Sequence, residues 1–216
     1  MITESQMQGM IQEAKESSKG RNFVESVEII VVFKDIDVKK GFQINEVVQL
    51  PQIGSDAAVC VLAGGDMGTK AREANATAVV DADELGRLST DKRAARKFIN
   101  KYDFFLADTQ IMPTVGKSLG QLLGPRGKMP TPVPFNAPIE AFLQRFKKSI
   151  RVRVRGSLSI SSKIGNQSMD DASLAANAMV VLRTIEKKLP NGEKNIRDVM
   201  IKTTMGKIIK GAKHNA

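Results

Sequence analysis

A chain of 216 residues with 33 Lys and Arg against 23 Asp and Glu carries a net charge of +10 and a pI near 9.8, a balance that suits a polyanionic partner, nucleic acid first. The single cysteine, Cys60, excludes an internal disulfide and a cysteine zinc cluster; the single histidine, His214, reads as a solvated tail residue and argues against a histidine-centred metal or catalytic site. No run approaches the roughly 18 apolar residues of a membrane span, and the start MITESQMQGM lacks a signal peptide's pattern, so a cytoplasmic chain with no membrane partner and no cofactor is expected.

In chain order, residues 4–19 place Met7, Met10, Ile11 and Ala14 at helical spacing before Gly20. The Val/Ile-rich run 24–37 reads as a strand, Lys39-Lys40-Gly41 as a turn, and 42–51 as its antiparallel partner. The pattern then changes. AAVCVLA (57–63) is an all-apolar run before Gly64-Gly65, as expected of a strand buried on both faces of a parallel sheet. A helix (67–76), a strand (77–81), a helical stretch (83–102), a strand (103–108), a short helix (113–123) ending at Gly124-Pro125, and a helix (138–149) follow. Strands alternating with helices predict an α/β layer over 66–150.

The first pattern returns afterwards. Residues 150–156 and 157–165 read as a strand pair, 170–189 as an amphipathic helix and 196–206 as a last strand. The expected architecture is therefore a split α+β domain from 1–65 and 151–216, with an inserted α/β domain at 66–150. Connections near 64–66 and 149–151 would form a hinge.

The run TQIMPTVGKSLGQLLGPRGKMPTPVP (109–134) holds five of the eight prolines and four glycines, with Lys117, Arg126 and Lys128 as its cations. It predicts a stiff basic loop after a short helix. A phosphate-binding P-loop is not supported, because Ile111 and Leu122 stand where the first glycine would be needed. Gly64-Gly65-Asp66-Met67-Gly68 likewise lacks the spacing of a dinucleotide loop. No acid, base and nucleophile set assembles, and Asp81, Asp83 and Asp108 read as helix caps or turn residues, so no enzyme is expected.

The charge excess is shared: 66–150 has 14 basic and 9 acidic residues, and the two ends together have 19 and 14, each net +5. Local patches must decide. Arg145 to Arg155 contains six cations and no acid, with Arg151, Arg153 and Arg155 on one strand face. The end of the last strand, Lys202-Thr203-Thr204-Met205-Gly206-Lys207, offers hydroxyls, a close-approach glycine and a methionine, which suit ribose and phosphate contacts. Nine phenylalanines and one tyrosine do not support a base-stacking platform, and recognition by shape and backbone fits better.

These motifs carry a resemblance. IMPTVGKSLGQLLGPRGKMPTP, with RNFVESVE near the start, SSKIGNQSM in the third quarter and KTTMG near the end, resembles the family of universal large-subunit ribosomal protein one, over the whole chain and in the same order. The RNF and RGKMP forms look archaeal. The resemblance implies the split α+β domain just described, with a three-layer Rossmann-like α/β domain inserted in it, and no catalysis. It implies binding to large-subunit rRNA to form the mobile side stalk, help in releasing exit-site tRNA, and repression of the protein's own mRNA. The free chain is expected to be a monomer. The family's rRNA contacts map onto Phe23, Glu25, Ser26, Gly165, Thr203, Thr204, Met205 and Gly206. Beside that mapping, Arg21, Asn22, Lys163 and Lys202 are candidate secondary RNA contacts, as are Lys117, Arg126 and Lys128 for rRNA or tRNA. Asn22 stands where many bacterial members carry lysine, and the proline-rich loop lies in the inserted domain.

Overall fold

The computed structural model describes residues 2–18, 22–37, 42–134 and 137–211. From the amino end the chain forms α1 (Glu4–Glu16), β1 (Ser26–Phe33) and β2 (Gln43–Gln49), then β3 (Val59–Leu62), α2 (Gly65–Glu73), β4 (Ala78–Val80), α3 (Ala82–Thr90) and α4 (Lys92–Lys101). It continues through β5 (Phe104–Asp108), α5 (Met112–Arg126), β6 (Thr131–Val133) and α6 (Ile139–Lys147) to β7 (Ser149–Arg155), β8 (Ser159–Asn166), α7 (Asp171–Lys188), β9 (Ile196–Thr203) and β10 (Ile209–Lys210). Two compact units result: residues 1–55 with 148–216, and residues 56–147.

The first unit is built on an antiparallel sheet in the order β10-β9-β1-β8, beside a two-stranded ladder of β2 and β7. Strand β1 buries Val27, Ile29, Val31 and Phe33 and leaves the alternate side chains half-buried, as a β-branched run with one core face should. Helix α1 opens with a capping box, Thr3 accepting from the Gln6 amide while the Gln6 side chain accepts from the Thr3 amide. Its Met7, Met10, Ile11 and Ala14 join Leu174, Ala175, Ala178, Val181, Leu182 and Ile185 of α7 in one core with the strands. Each fully buried aliphatic contributes about 1.5–3 kcal/mol. Asn177, inside that core, is satisfied: it accepts from the Gln52 amide and donates to the Gln52 and Ile164 carbonyls.

Two expected pairings are corrected here. β1 pairs with β8 and β9, not with β2, and β7 pairs with β2, not with β8. Segments adjacent in sequence are therefore split between two sheets. Register explains the choice: β1 at the centre offers four core side chains that strands on both edges can continue, such as Ile29 beside Ile201 and Val31 beside Val199 and Ile160. The turn expected at Lys39-Lys40-Gly41 lies outside the described residues.

The second unit is a parallel sheet in the order β4-β3-β5-β6, with helices between successive strands. β3 and β5 are buried throughout, as expected of strands covered on both faces. Because β3 pairs with β4 and β5, residues 56–65 belong to this unit, and Gly64-Gly65 is the β3–α2 turn, with Gly64 at the N-cap, rather than a hinge. The chain passes between the units at Ser55–Asp56 and Lys147–Lys148.

Three further differences have local causes. The stretch 83–102 divides into α3 and α4 because Asp91 accepts from the Arg93 and Ala94 amides and starts a new helix. Helix α5 runs past Gly124-Pro125 to Arg126 and stops at Gly127, whose φ of +68° closes a Schellman motif: the Gly127 amide bonds the Gly124 carbonyl and the Lys128 amide the Leu123 carbonyl. A strand within the proline-rich run, β6, went unforeseen. Pro132 is tolerated there because β6 is an edge strand, where a missing donor costs no ladder bond.

Candidate RNA-binding surface

At one end of the four-stranded sheet three distant segments meet. The residues before β1, the end of β8 and the end of β9 lie side by side, with Val27 opposite both Gly165 and Thr203, and Ser26 opposite Asn166. The β1–β8 register shifts between Val27 and Glu28, so Ile164 is a bulged extra residue that turns the end of β8. The structure thus brings together Phe23, Glu25, Ser26, Gly165, Thr203, Thr204, Met205 and Gly206.

Their backbones are locked by specific bonds. The Thr204 amide donates to the Ser26 carbonyl at 3.0 Å, and the Ser26 amide donates to Thr204 Oγ1 at 3.1 Å. Glu25 is fully buried; its Oε2 accepts from the Met205 amide at 2.8 Å, and its carbonyl accepts from the Gln167 amide at 2.9 Å. The Gln167 side chain donates to Ser18 Oγ, and the Lys207 amide donates to Ser17 Oγ, so the end of α1 braces the same loops. Lys15 Nζ reaches the Met169 carbonyl at 2.6 Å and Asp171 at 2.5 Å, tying α1 to the start of α7.

Two glycines are needed by packing. A Cβ on Gly165 would lie 2.5 Å from Leu174 Cδ2 and 2.6 Å from Met169 Sδ, so this position faces the protein's own α7 side. A Cβ on Gly206 would collide with Thr203 Oγ1. That hydroxyl is buried and has no hydrogen-bond partner among the described residues. Glu25, Thr203, Gly165 and Gly206 therefore shape the surface from below.

The exposed part is apolar with a cationic margin. Phe23, Val24 and Met205 are 53%, 64% and 61% exposed, unusual values for such side chains in one neighbourhood. Asn22, Phe23, Val24, Gln167 and Ser168 line a shallow open depression. Lys163 and Lys202 stand opposite Glu28 from the two flanking strands. Lys207 is exposed beyond the strand end. Arg21 lies outside the described residues.

The remaining candidates are elsewhere. Lys117 is exposed on α5, Arg126 reaches the Leu122 carbonyl at 3.5 Å, and Lys128 Nζ donates to the Ile99 and Tyr102 carbonyls at 3.1 and 2.5 Å, where it caps the end of α4. Lys128 is thus engaged within its own unit. On β7, Arg151 is half-buried, and burial first, then Arg153, lowers its affinity for its proton. In the second unit Asp81 stands at the N-cap of α3, and Asp108 accepts from the Gln110 amide, both structural roles. Sequence reasoning missed Ser17, Ser18 and Gln167, whose small polar types give no signal before the fold joins them.

The fold is that of a two-unit mixed α/β protein, one unit built on a split antiparallel sheet with an apolar-and-basic end and the other on a parallel sheet. The sequence model of the ribosomal protein L1p/L10e family matches residues 14–207, and the chain belongs to that family. It is similar to proteins described as large ribosomal subunit protein uL1: 64% identical to that of Cenarchaeum symbiosum over 97% of both chains. The identity is 44% for Thermofilum pendens, covering 97% of this chain and 94% of the relative. For Methanothermobacter thermautotrophicus it is 38%, covering 93% and 95%. The chain is accordingly a non-enzymatic, structural protein of the large ribosomal subunit with archaeal homologues. Among the described residues no helix is long and apolar enough to cross a membrane.

Proposed function

We propose that the sheet end built by residues 22–26, 165–168 and 203–206 binds large-subunit rRNA and anchors the mobile side stalk of the cytoplasmic ribosome. Residues 1–55 and 148–216 form the RNA-binding domain, and 56–147 the inserted domain. The observation that carries this reading is the convergence of Phe23, Val24 and Met205, all exposed, on a backbone fixed through Glu25 and Thr204. A rigid rim with apolar side chains and few aromatics suits a wide, shallow RNA groove read by sugar and backbone contacts. Lys163, Lys202 and Lys207 supply phosphate contacts at the margin. Family membership supports rRNA binding by the chain. The same surface would take a segment of the protein's own mRNA with a similar shape, and the stalk would assist release of exit-site tRNA. The free protein acts as a monomer.

The test is binding of a stalk rRNA fragment and of an unrelated duplex of equal length across a salt series. A preference on the order of a thousandfold at physiological salt is expected, and Met205→Asp should abolish most of it. Equal affinities with equal salt slopes would leave only the +10 charge acting and would overturn the assignment.

A further inference from the structure

Helix α4, KRAARKFINK, carries five cations in ten residues and no acid: Lys92, Arg93, Arg96, Lys97 and Lys101. All five are exposed, while Ala95 and Ile99 are buried and Ala94 and Phe98 half-buried. Among the described residues none of the five makes an ion pair; Lys101 alone has a partner, lying 5.6 Å from the centre of the Tyr102 ring. At 100° per residue the charges fill one half of the helix in two rows, Lys92–Arg96 and Arg93–Lys97–Lys101. The longer row extends about 12 Å along the axis.

Local physics disfavours this arrangement. Like charges at i and i+4 repel, here in three pairs, and Lys92 and Arg93 sit in the first turn, the wrong end for cations, where the N-cap Asp91 is the one acid and its carboxylate is bonded to the Arg93 and Ala94 amides. Five like charges on one face, none of them ion-paired among the described residues, mark a place where an external partner supplies the counter-charge.

We propose that the outer face of α4 is a second RNA-binding surface, on the inserted unit, that takes the phosphodiester backbone of an RNA duplex without reading its sequence. The absence of a sequence-reading element follows from the side chains. Phe98 is turned into a cluster with Tyr102 and Phe105, so no aromatic is offered for stacking on a base. An acidic protein partner fits less well, because protein interfaces depend on apolar or aromatic anchors, and the outer face of α4 has only charges and Asn100. Bare, paired rows of cations match a string of phosphates. This surface is independent of the sheet end on the other unit.

The experiment uses the full chain carrying Met205→Asp, so that the sheet-end site contributes least, and a generic RNA duplex of about twenty base pairs as probe. In that background Arg93→Gln, Arg96→Gln and Lys97→Gln together should weaken duplex binding about tenfold or more and reduce the slope of log K against log salt by about two to three. Changing Arg183, Lys187 and Lys194 to glutamine removes the same charge from the other unit and should leave the slope within about one of the parent. The α4 variant should melt no lower than its parent, since it relieves repulsion. An unchanged slope, or an equal loss from the two triple variants, overturns the proposal. So does retention of RNA binding with loss of binding to poly-glutamate, which would point to an acidic protein partner. Failure of Met205→Asp to affect the stalk fragment would count only against the sheet-end site, because the comparison here is made within one background.

Discussion

The Met205 amide donates to Glu25 Oε2 at 2.8 Å across 180 positions of sequence, and this bond holds the loop after β9 against the entry to β1. Glu25 is fully buried while Met205 is 61% exposed, so a carboxylate inside the protein sets the position of a side chain outside it. Removing it with Glu25→Ala should cost about 1.5–3 kcal/mol in denaturant unfolding, the range for a hydrogen bond to a charged group. Glu25→Gln keeps an acceptor for the Met205 amide and should lose less. Both should weaken stalk-fragment binding in the same order. An alanine variant with parental affinity would show that the loop holds its shape without Glu25.

The adjacent threonines should behave oppositely. Thr204 Oγ1 accepts from the Ser26 amide, and Thr204→Val should cost about 1 kcal/mol and weaken RNA binding. Thr203 Oγ1 is buried without a partner among the described residues, so Thr203→Val should be neutral or raise stability by about 1 kcal/mol. Paired urea melts decide it; a larger loss at Thr203 than at Thr204 would contradict the geometry.

Gly165→Ala forces a methyl to within 2.5–2.6 Å of Leu174 and Met169 and should destabilise by about 1–3 kcal/mol through overpacking. Gly206→Ala meets Thr203 Oγ1 instead, and Thr203→Ala in the same chain should recover part of its loss. Thermal melts of the single and double variants measure the coupling. Strict additivity would mean that the two positions do not touch in solution.

Burial, followed by the charge of Glu84, pushes the Cys60 thiol up to about 12. In the folded chain it should resist alkylation at pH 8, reacting only on unfolding. The folded state holds this proton more tightly than the unfolded one, so its contribution to stability is complete below about pH 9 and declines as pH rises toward 12. Cys60→Ser should flatten that alkaline decline; an unchanged profile would assign it to other groups.

Much of the fold was legible because its signals are local. The alternation in β1, the four apolar positions of α1 and the continuous apolar run of β3 each follow from side-chain period alone. Pairing was not legible: β1 looks as compatible with β2 as with β8, and only the shared core of α1 and α7 selects between them. Pro132 hid β6, since proline argues against a strand unless its edge position is known. Exposed Thr204 and Met205 stood out in the hydroxyl, methionine and glycine pattern at the end of the last strand, Phe23 was reached only by resemblance, and Gly165 proves to face Leu174. Lys128 looked like a loop cation until the end of α4 was seen beneath it. The basic half of α4 was present in the charge count of the middle segment but had to be placed on a helix to become a face.

The position of β1 between β8 and β9 also has a consequence in time. The inserted unit draws all four of its strands from one continuous stretch and can assemble soon after residue 147 is made. Strand β1, made before either of its partners, must wait with both edges open until residues 159–166 and then 196–203 have emerged. The loop carrying Met205 comes later still. The sheet end therefore closes only after residues 203–206 have emerged, when the Met205 amide can reach Glu25 and the Thr204 amide the Ser26 carbonyl.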